Sequence, residues 1–213
     1  SSPVPRADLH VALGKIEASR GNRAEARRQL ELAASAPAST ADARNARATA
    51  LLLLGRSDEA QTVWTDLTED RPDYASAWTN LASLAIRDRK WADAESFARA
   101  AIERDPLSTG AWNTLGIALD ELGRTDDAEA AYRRAGELDP GDWQAMFNLG
   151  ILLRTNARYQ EAVEVQQEVL NRSPGNPGAH FELGMLYAGF LGDADRAKLH
   201  LRATIEAAPD HPR

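Results

Sequence analysis

Pro72, Pro106, Pro140 and Pro174 stand 34 residues apart, and other positions keep the same step. Ala26, Ala60, Ala94, Ala128 and Ala162 form one such column. Leu81, Leu115, Leu149 and Leu183 form another, each followed by a small residue: Ala82, Gly116, Gly150 or Gly184. Coincidence does not align so many positions at one period. A repeat of this length is one supersecondary unit that cannot bury its apolar face alone, so the chain must fold as an array in which neighbours cover one another.

One period shows what the unit is. Ser108 or Thr109 is an N-cap for a helix running to about Leu122, and Gly123 permits the left-handed turn that ends it. A second helix starts after Thr125, with Asp126 and Asp127 at its positive end, and Pro140 stops it. Two helices per period predict about twelve helices in all. The stretch from Trp143 to Arg154, WQAMFNLGILLR, is apolar nearly all the way round when wound as a helix, yet it is shorter than the roughly 20 residues that a bilayer span needs. Protein must cover it on most sides.

The period, the Trp of the Ala-Trp pairs (Trp78, Trp112) and the closing Asp-Pro pairs (Asp105-Pro106, Asp139-Pro140) resemble the tetratricopeptide repeat family. The segment from Thr109 to Pro140 carries the family's Trp, Leu-Gly, Gly, Ala, Tyr, Ala and Pro at the family's spacings. Six repeats follow, at about 9–37, 41–72, 75–106, 109–140, 143–174 and 177–209, with a linker remnant at 1–8 and a tail at 210–213. The resemblance implies an all-α, right-handed superhelical solenoid of antiparallel helix pairs, with one concave and one convex face. Two departures stand out. The second repeat has Arg44 in the Trp78 column and Arg47 in the Leu81 column, which predicts looser packing of its first helix. The step from Ala162 to Ala197 is 35, which places one extra residue in the turn around Gly192.

By resemblance to the family, the open side of each first helix lines the concave groove, and in WQAMFNLGILLR that side is Phe147, Asn148, Ile151 and Arg154. Projected by steps of 34, the floor runs from Asn45 and Thr49 through Thr79, Asn80, Ser83 and Arg87 to Asn113, Thr114, Ile117 and Asp120. It ends at Phe181, Glu182 and Met185. The early repeats offer small polar groups. The later ones offer an apolar strip of Ile117, Phe147, Ile151, Phe181 and Met185, the kind of exposed surface that marks a binding site. The plainer alternative is that Phe147 and Phe181 only extend packing between repeats. Asn80 and Asn148 share a column, and their amides suit a peptide backbone whatever its side chains. Repeat arrays attached to O-linked N-acetylglucosamine transferases use an asparagine ladder of this kind, here interrupted by Thr114 and Glu182. The Lys/Arg/Asn clamp by which some family members hold a carboxyl terminus is missing, since the matching places hold Thr79, Asn113 and Phe147.

A formal charge of −7 without long basic runs counts against nucleic acid or an anionic membrane as partner and favours a protein or peptide. The absence of cysteine removes disulfides, thiolate nucleophiles and zinc-thiolate sites. Carboxylate pairs such as Asp126-Asp127 sit at helix starts, where the helix dipole explains them. No phosphate loop and no nucleophile with a base at a supporting spacing is present, so neither catalytic residues nor a cofactor is expected. His10 and His180 fall in the packing column of Trp78, Trp112 and Met146. His200 and His211 have no metal-ligand spacing and are expected at the surface, and no metal is expected. No segment for direct membrane insertion is expected, and cytoplasmic and exported locations fit equally.

These features predict a protein-interaction scaffold that holds an extended or helical partner segment across repeats three to six. No helix of this sequence follows Leu199, Leu201 and Ile205 to cover them all, so the expectation is either that the natural protein continues beyond Arg213 or that this end docks on another copy, a self-association through the chain ends, or on a partner. A regulatory arm of a larger enzyme is a further alternative.

Overall fold

A computed structural model describes residues 6–207. The first five residues of the expected linker, Pro209, His211 and the tail 210–213 lie outside the described residues. Every regular element among the described residues is helical. In chain order they are α1 (Ala7–Ser19), α2 (Arg23–Ser35), α3 (Ala41–Leu53), α4 (Ser57–Asp70), α5 (Ala75–Arg87) and α6 (Trp91–Arg104). There follow α7 (Thr109–Glu121), α8 (Thr125–Leu138), α9 (Gln144–Thr155), α10 (Tyr159–Arg172), α11 (Pro177–Leu186) and α12 (Ala194–Ala207). A π-turn, Tyr187–Leu191, extends α11. Helix α1 begins at Ala7, which is buried, so it takes in the last two residues of the stretch read as linker.

The described residues up to Pro106 form one compact unit and those from Leu107 form another. Each holds three helix pairs. In the first unit α1 packs on α2, α3 on α4 and α5 on α6, while α2 and α4 also pack on the first helix of the next pair. The second unit repeats this with α7/α8, α9/α10 and α11/α12. The first helices also touch one another, α1 with α3, α7 with α9 and α9 with α11, so in the second unit all three form a layer of their own.

The turn between paired helices has one recurring form. Gly21, Gly55, Arg89, Gly123 and Ala157 stand at steps of 34 and all have positive φ, from 57° at Arg89 to 81° at Gly55. At each, the amide two places beyond the helix cap bonds back to a carbonyl in the last turn, as Arg124 N does to Leu119 O at 2.9 Å, while Gly123 N bonds to Asp120 O at 2.8 Å. These paired bonds satisfy carbonyls that a helix end otherwise leaves open. The second helices end where a proline column begins. Asp139, which precedes Pro140, is extended at φ −131° and ψ 90°, because a residue before proline is pushed out of the helical region.

The small-residue column sets how closely paired helices approach. A Cβ on Gly116 would lie 2.5 Å from the Tyr132 ring, one on Gly150 2.3 Å from the Gln166 amide, and one on Gly14 2.9 Å from Leu30. In all three the large partner stands 16 residues on. In the last repeat the partner of Gly184 is Leu201, 17 residues on, with a separation of 2.7 Å. The extra residue is absorbed in the π-turn, whose five-residue bonding admits one more residue and which closes on Gly192 at φ 69°. The second repeat departs from expectation in its packing. Arg47 is exposed and Arg44 reaches Asp70 at 2.7 Å, but Trp64 from α4 fills the interior at 1% exposure and donates its Nε1–H to Asn45 Oδ1 at 2.8 Å. A large residue from the second helix thus replaces what the first helix lacks.

Candidate functional site

Helices 3.6 residues per turn bury one stripe and leave the opposite one open. On α9, Ala145, Met146, Leu149, Gly150, Leu152 and Leu153 are buried, while Phe147, Asn148, Ile151 and Arg154 are half-buried. The corresponding stripe on α7 is Asn113, Ile117 and Asp120, all half-buried, with Glu121 exposed at its end. On α11 it is Phe181 and Met185, exposed at 46% and 43% between neighbours Leu183 and Leu186 that are fully buried. Since α7 touches α9 and α9 touches α11, these three stripes lie on adjacent helices of one layer.

Two predicted floor residues lie deeper than this stripe. Thr114 is buried and its hydroxyl donates to the Gly110 carbonyl of its own helix at 2.8 Å. Glu182 is 8% exposed, and its carboxylate accepts from Arg154 Nε at 2.6 Å. Phe147 is braced on two sides: the Trp143 ring meets it edge-on at 5.9 Å, and a Cβ on Gly178 would lie 3.0 Å from its ring. That glycine lets α11 pass close over the Phe147 ring.

In the first compact unit the corresponding surface is polar. Thr79 and Ser83 turn their hydroxyls onto carbonyls of α5, at 3.2 and 3.0 Å, and Arg87 pairs with its neighbour Asp88. Asn80 donates to Asn45 Oδ1 at 2.7 Å. In the second unit Asn148 donates to Asn113 Oδ1 at 3.0 Å. The asparagines therefore work as two bridged pairs, 45–80 and 113–148, each joining neighbouring repeats one residue off the 34-residue step. Each pair leaves amide groups of the outer asparagine for another partner.

Asp120 differs from the other charged groups here. Arg154 is the single cationic side chain on α7, α9 and α11, and it is taken up by Glu182. Asp120 makes no side-chain hydrogen bond or ion pair among the described residues. Burial, and then the charge of Glu121, push its carboxyl above the usual carboxylate range.

His200 corrects the sequence reading. It is half-buried, its Nδ1 lies 3.0 Å from His180 Nδ1, and its ring stacks on Tyr187 at 5.8 Å and 14°. The 35-residue step hides this pairing from a 34-residue projection. His180 Nε2 lies 3.1 Å from the Pro174 carbonyl, which makes it the protonated nitrogen, so its Nδ1 accepts the proton of His200 Nδ1. His10 bonds Gln29 at 2.7 Å. Among the described residues, no three His, Asp or Glu side chains stand together where a metal would be held, and no helix is long and apolar enough to cross a membrane. The stacked rings of Tyr159 and Phe190, 4.2 Å apart, had no periodic signal because Phe190 lies in the inserted turn.

Two sequence profiles of the tetratricopeptide repeat match the chain, one over residues 45–109 and 113–177 and the other over 179–211. The chain belongs to the tetratricopeptide repeat family. No curated protein matches this tetratricopeptide array in sequence. Solved structures do match in fold. The Pseudomonas aeruginosa pilF structure is 17% identical at a TM-score of 0.74 and covers 97% of this chain and 93% of its own. MamA is 20% identical at a TM-score of 0.68, covering 76% of this chain and 94% of its own. YrrB, described as a TPR protein with an unusual peptide-binding site, is 22% identical at a TM-score of 0.63, covering 81% and 88%. At these identities the likeness extends to the fold of the array.

Proposed function

We propose that this tetratricopeptide array is a protein-interaction scaffold whose layer of α7, α9 and α11 holds an extended or helical segment of a partner. The observation that carries this reading is the exposure of Phe181 and Met185, with half-buried Ile151, on helices whose leucines are all buried. Apolar side chains left open on adjacent helices of one layer gain most by burial against a ligand. Ile151, Phe181 and Met185 act as anchors, Ile117 and Phe147 extend the apolar floor, and Asn113 and Asn148 bond the ligand backbone. Thr79, Asn80, Ser83 and Arg87 offer a separate polar surface in the first compact unit, and Glu182 holds Arg154 in place. The likeness to YrrB supports peptide binding as the mode. No catalytic role is proposed.

Affinity capture from the native extract tests this, with the wild-type array beside an Ile151→Ala/Phe181→Ala/Met185→Ala variant of unchanged helicity. Proteins held by the first and released by the second identify the client. Identical retention by both would move the binding face elsewhere.

A second reading, self-association, is favoured by Leu9, Leu13 and Ile16, which form an open stripe on α1, and by Leu199 and Ile205, exposed at 66% and 63% on α12. A second copy covering either stripe would form dimers or longer chains. Light scattering across a concentration series distinguishes the two: a mass that stays at one chain removes this reading.

A further inference from the structure

We infer that the segment taken by the α7, α9 and α11 layer is basic as well as apolar, with a Lys or Arg side chain that pairs with Asp120 while its apolar neighbours lie on Ile117, Ile151 and Phe181. This rests on the proposed function and adds the chemical class of the ligand. Three observations carry it. The first is charge: α7, α9 and α11 bear the carboxylates Asp120, Glu121 and Glu182 against the single guanidinium of Arg154. The second is pairing. Arg154 is already bound to Glu182 at 2.6 Å, so that ion pair presents little net charge to a ligand and the acidic excess falls on Asp120 and Glu121.

The third is place. Asp120 follows Ile117 by three residues, so the two are neighbours on one face of α7, and Asn113 lies one turn before them. Asp120 is half-buried, its carboxylate makes no hydrogen bond or ion pair among the described residues, and Glu121, the charge that acts on it, is itself negative. A half-buried carboxylate without a counter-charge is held at a cost, which an incoming cation relieves. An acidic segment would meet the opposite condition, because like charge brought to a partly desolvated carboxylate is repelled. The same surface thus attracts one sign of ligand and rejects the other.

Selection of a displayed library of random short peptides on the full chain tests this. Selected peptides are then titrated by fluorescence anisotropy against wild type, Asp120→Asn, Asp120→Lys and Phe181→Ala/Met185→Ala, each with unchanged circular dichroism. The expected result is enrichment of Lys or Arg beside apolar residues. Affinity should fall about five- to tenfold in Asp120→Asn, and Asp120→Lys should select Asp or Glu instead. Apolar peptides without basic enrichment, released by Phe181→Ala/Met185→Ala, would overturn the inference and leave the groove reading standing. So would basic peptides held equally by Asp120→Asn, which the overall charge of −7 would be attracting elsewhere. Peptides indifferent to both sets of substitutions, or none selected at all, would overturn the groove reading and the inference together.

Discussion

At the scale of single residues, the array is governed by contacts that tolerate very little. Gly116 admits the Tyr132 ring where a Cβ would lie 2.5 Å away, and Tyr132 is itself 2% exposed, so neither can retreat. Gly116→Ala is therefore expected to destabilise the protein by about 1 to 3 kcal/mol, an overpacking cost, measured by urea denaturation. Combining it with Tyr132→Leu should cost less than the two changes summed, because the smaller side chain yields the space. The imidazole pair gives a pH dependence. Burial, and then the charge of His180, hold the His200 pKa below its ordinary 6.5, so the unfolded chain binds the proton more readily than the folded one. Stability is unaffected by this group above about pH 6.5 and declines as the pH falls through the depressed folded value. The melting temperature should drop between pH 7.5 and 5, and His200→Gln should flatten that drop.

At the scale of the helix pair, the turn is the recurring device. Its left-handed position holds Gly21, Gly55 and Gly123 but also Arg89 and Ala157, at φ 57° and 59°. A side chain there meets its own backbone carbonyl, a strain that glycine does not have. Ala157→Gly removes that strain without disturbing the bonds from Ala157 N to Arg154 O and from Arg158 N to Leu153 O. It should stabilise by about 0.5 to 1 kcal/mol, which raises the melting temperature by about 1 to 4 °C for a chain of this size. A fall in melting temperature would show that the turn is held by its side chain. The second helices α4, α8 and α10 begin with a basic residue at the cap and an acid three places on: Arg56 with Glu59, Arg124 with Asp127 and Arg158 with Glu161, at 2.6 to 2.7 Å. Exposed pairs of this kind add little to stability.

For the molecule as a whole, the distinction that matters is between side chains that hold the array together and side chains that are free to hold something else. Leu149 is completely buried, and Leu149→Ala should cost about 2 to 5 kcal/mol of stability. Phe181, 46% exposed, should leave the melting temperature nearly unchanged when truncated to Ala, while ligand affinity falls by about 1 to 2 kcal/mol. Differential scanning calorimetry beside a binding titration separates the two effects. An equal loss of stability at both positions would make Phe181 a packing residue and end its candidacy as an anchor. Phe147 should fall between them, because Trp143 and Gly178 already enclose part of its ring.

The period of 34 carried most of the architecture in its own residues. Columns of Leu, Ala, Gly and Pro name the buried faces, the close approaches and the stops, because a repeated fold requires the same local conformation at every step. The same arithmetic placed Ile117, Ile151, Phe181 and Met185 on open stripes, and it located the extra residue of the last repeat. It did not decide what lies at the bottom of those stripes. Glu182 lies buried against Arg154, Asn113 is bridged to Asn148, and His200 meets His180 across an insertion that displaces its column. Trp64 restores the interior of the second repeat from the opposite helix. Each of these is a contact between residues 19 to 35 positions apart. Their hydrogen bonds and burial depend on how two helices meet, and a residue's identity within its own helix leaves that open.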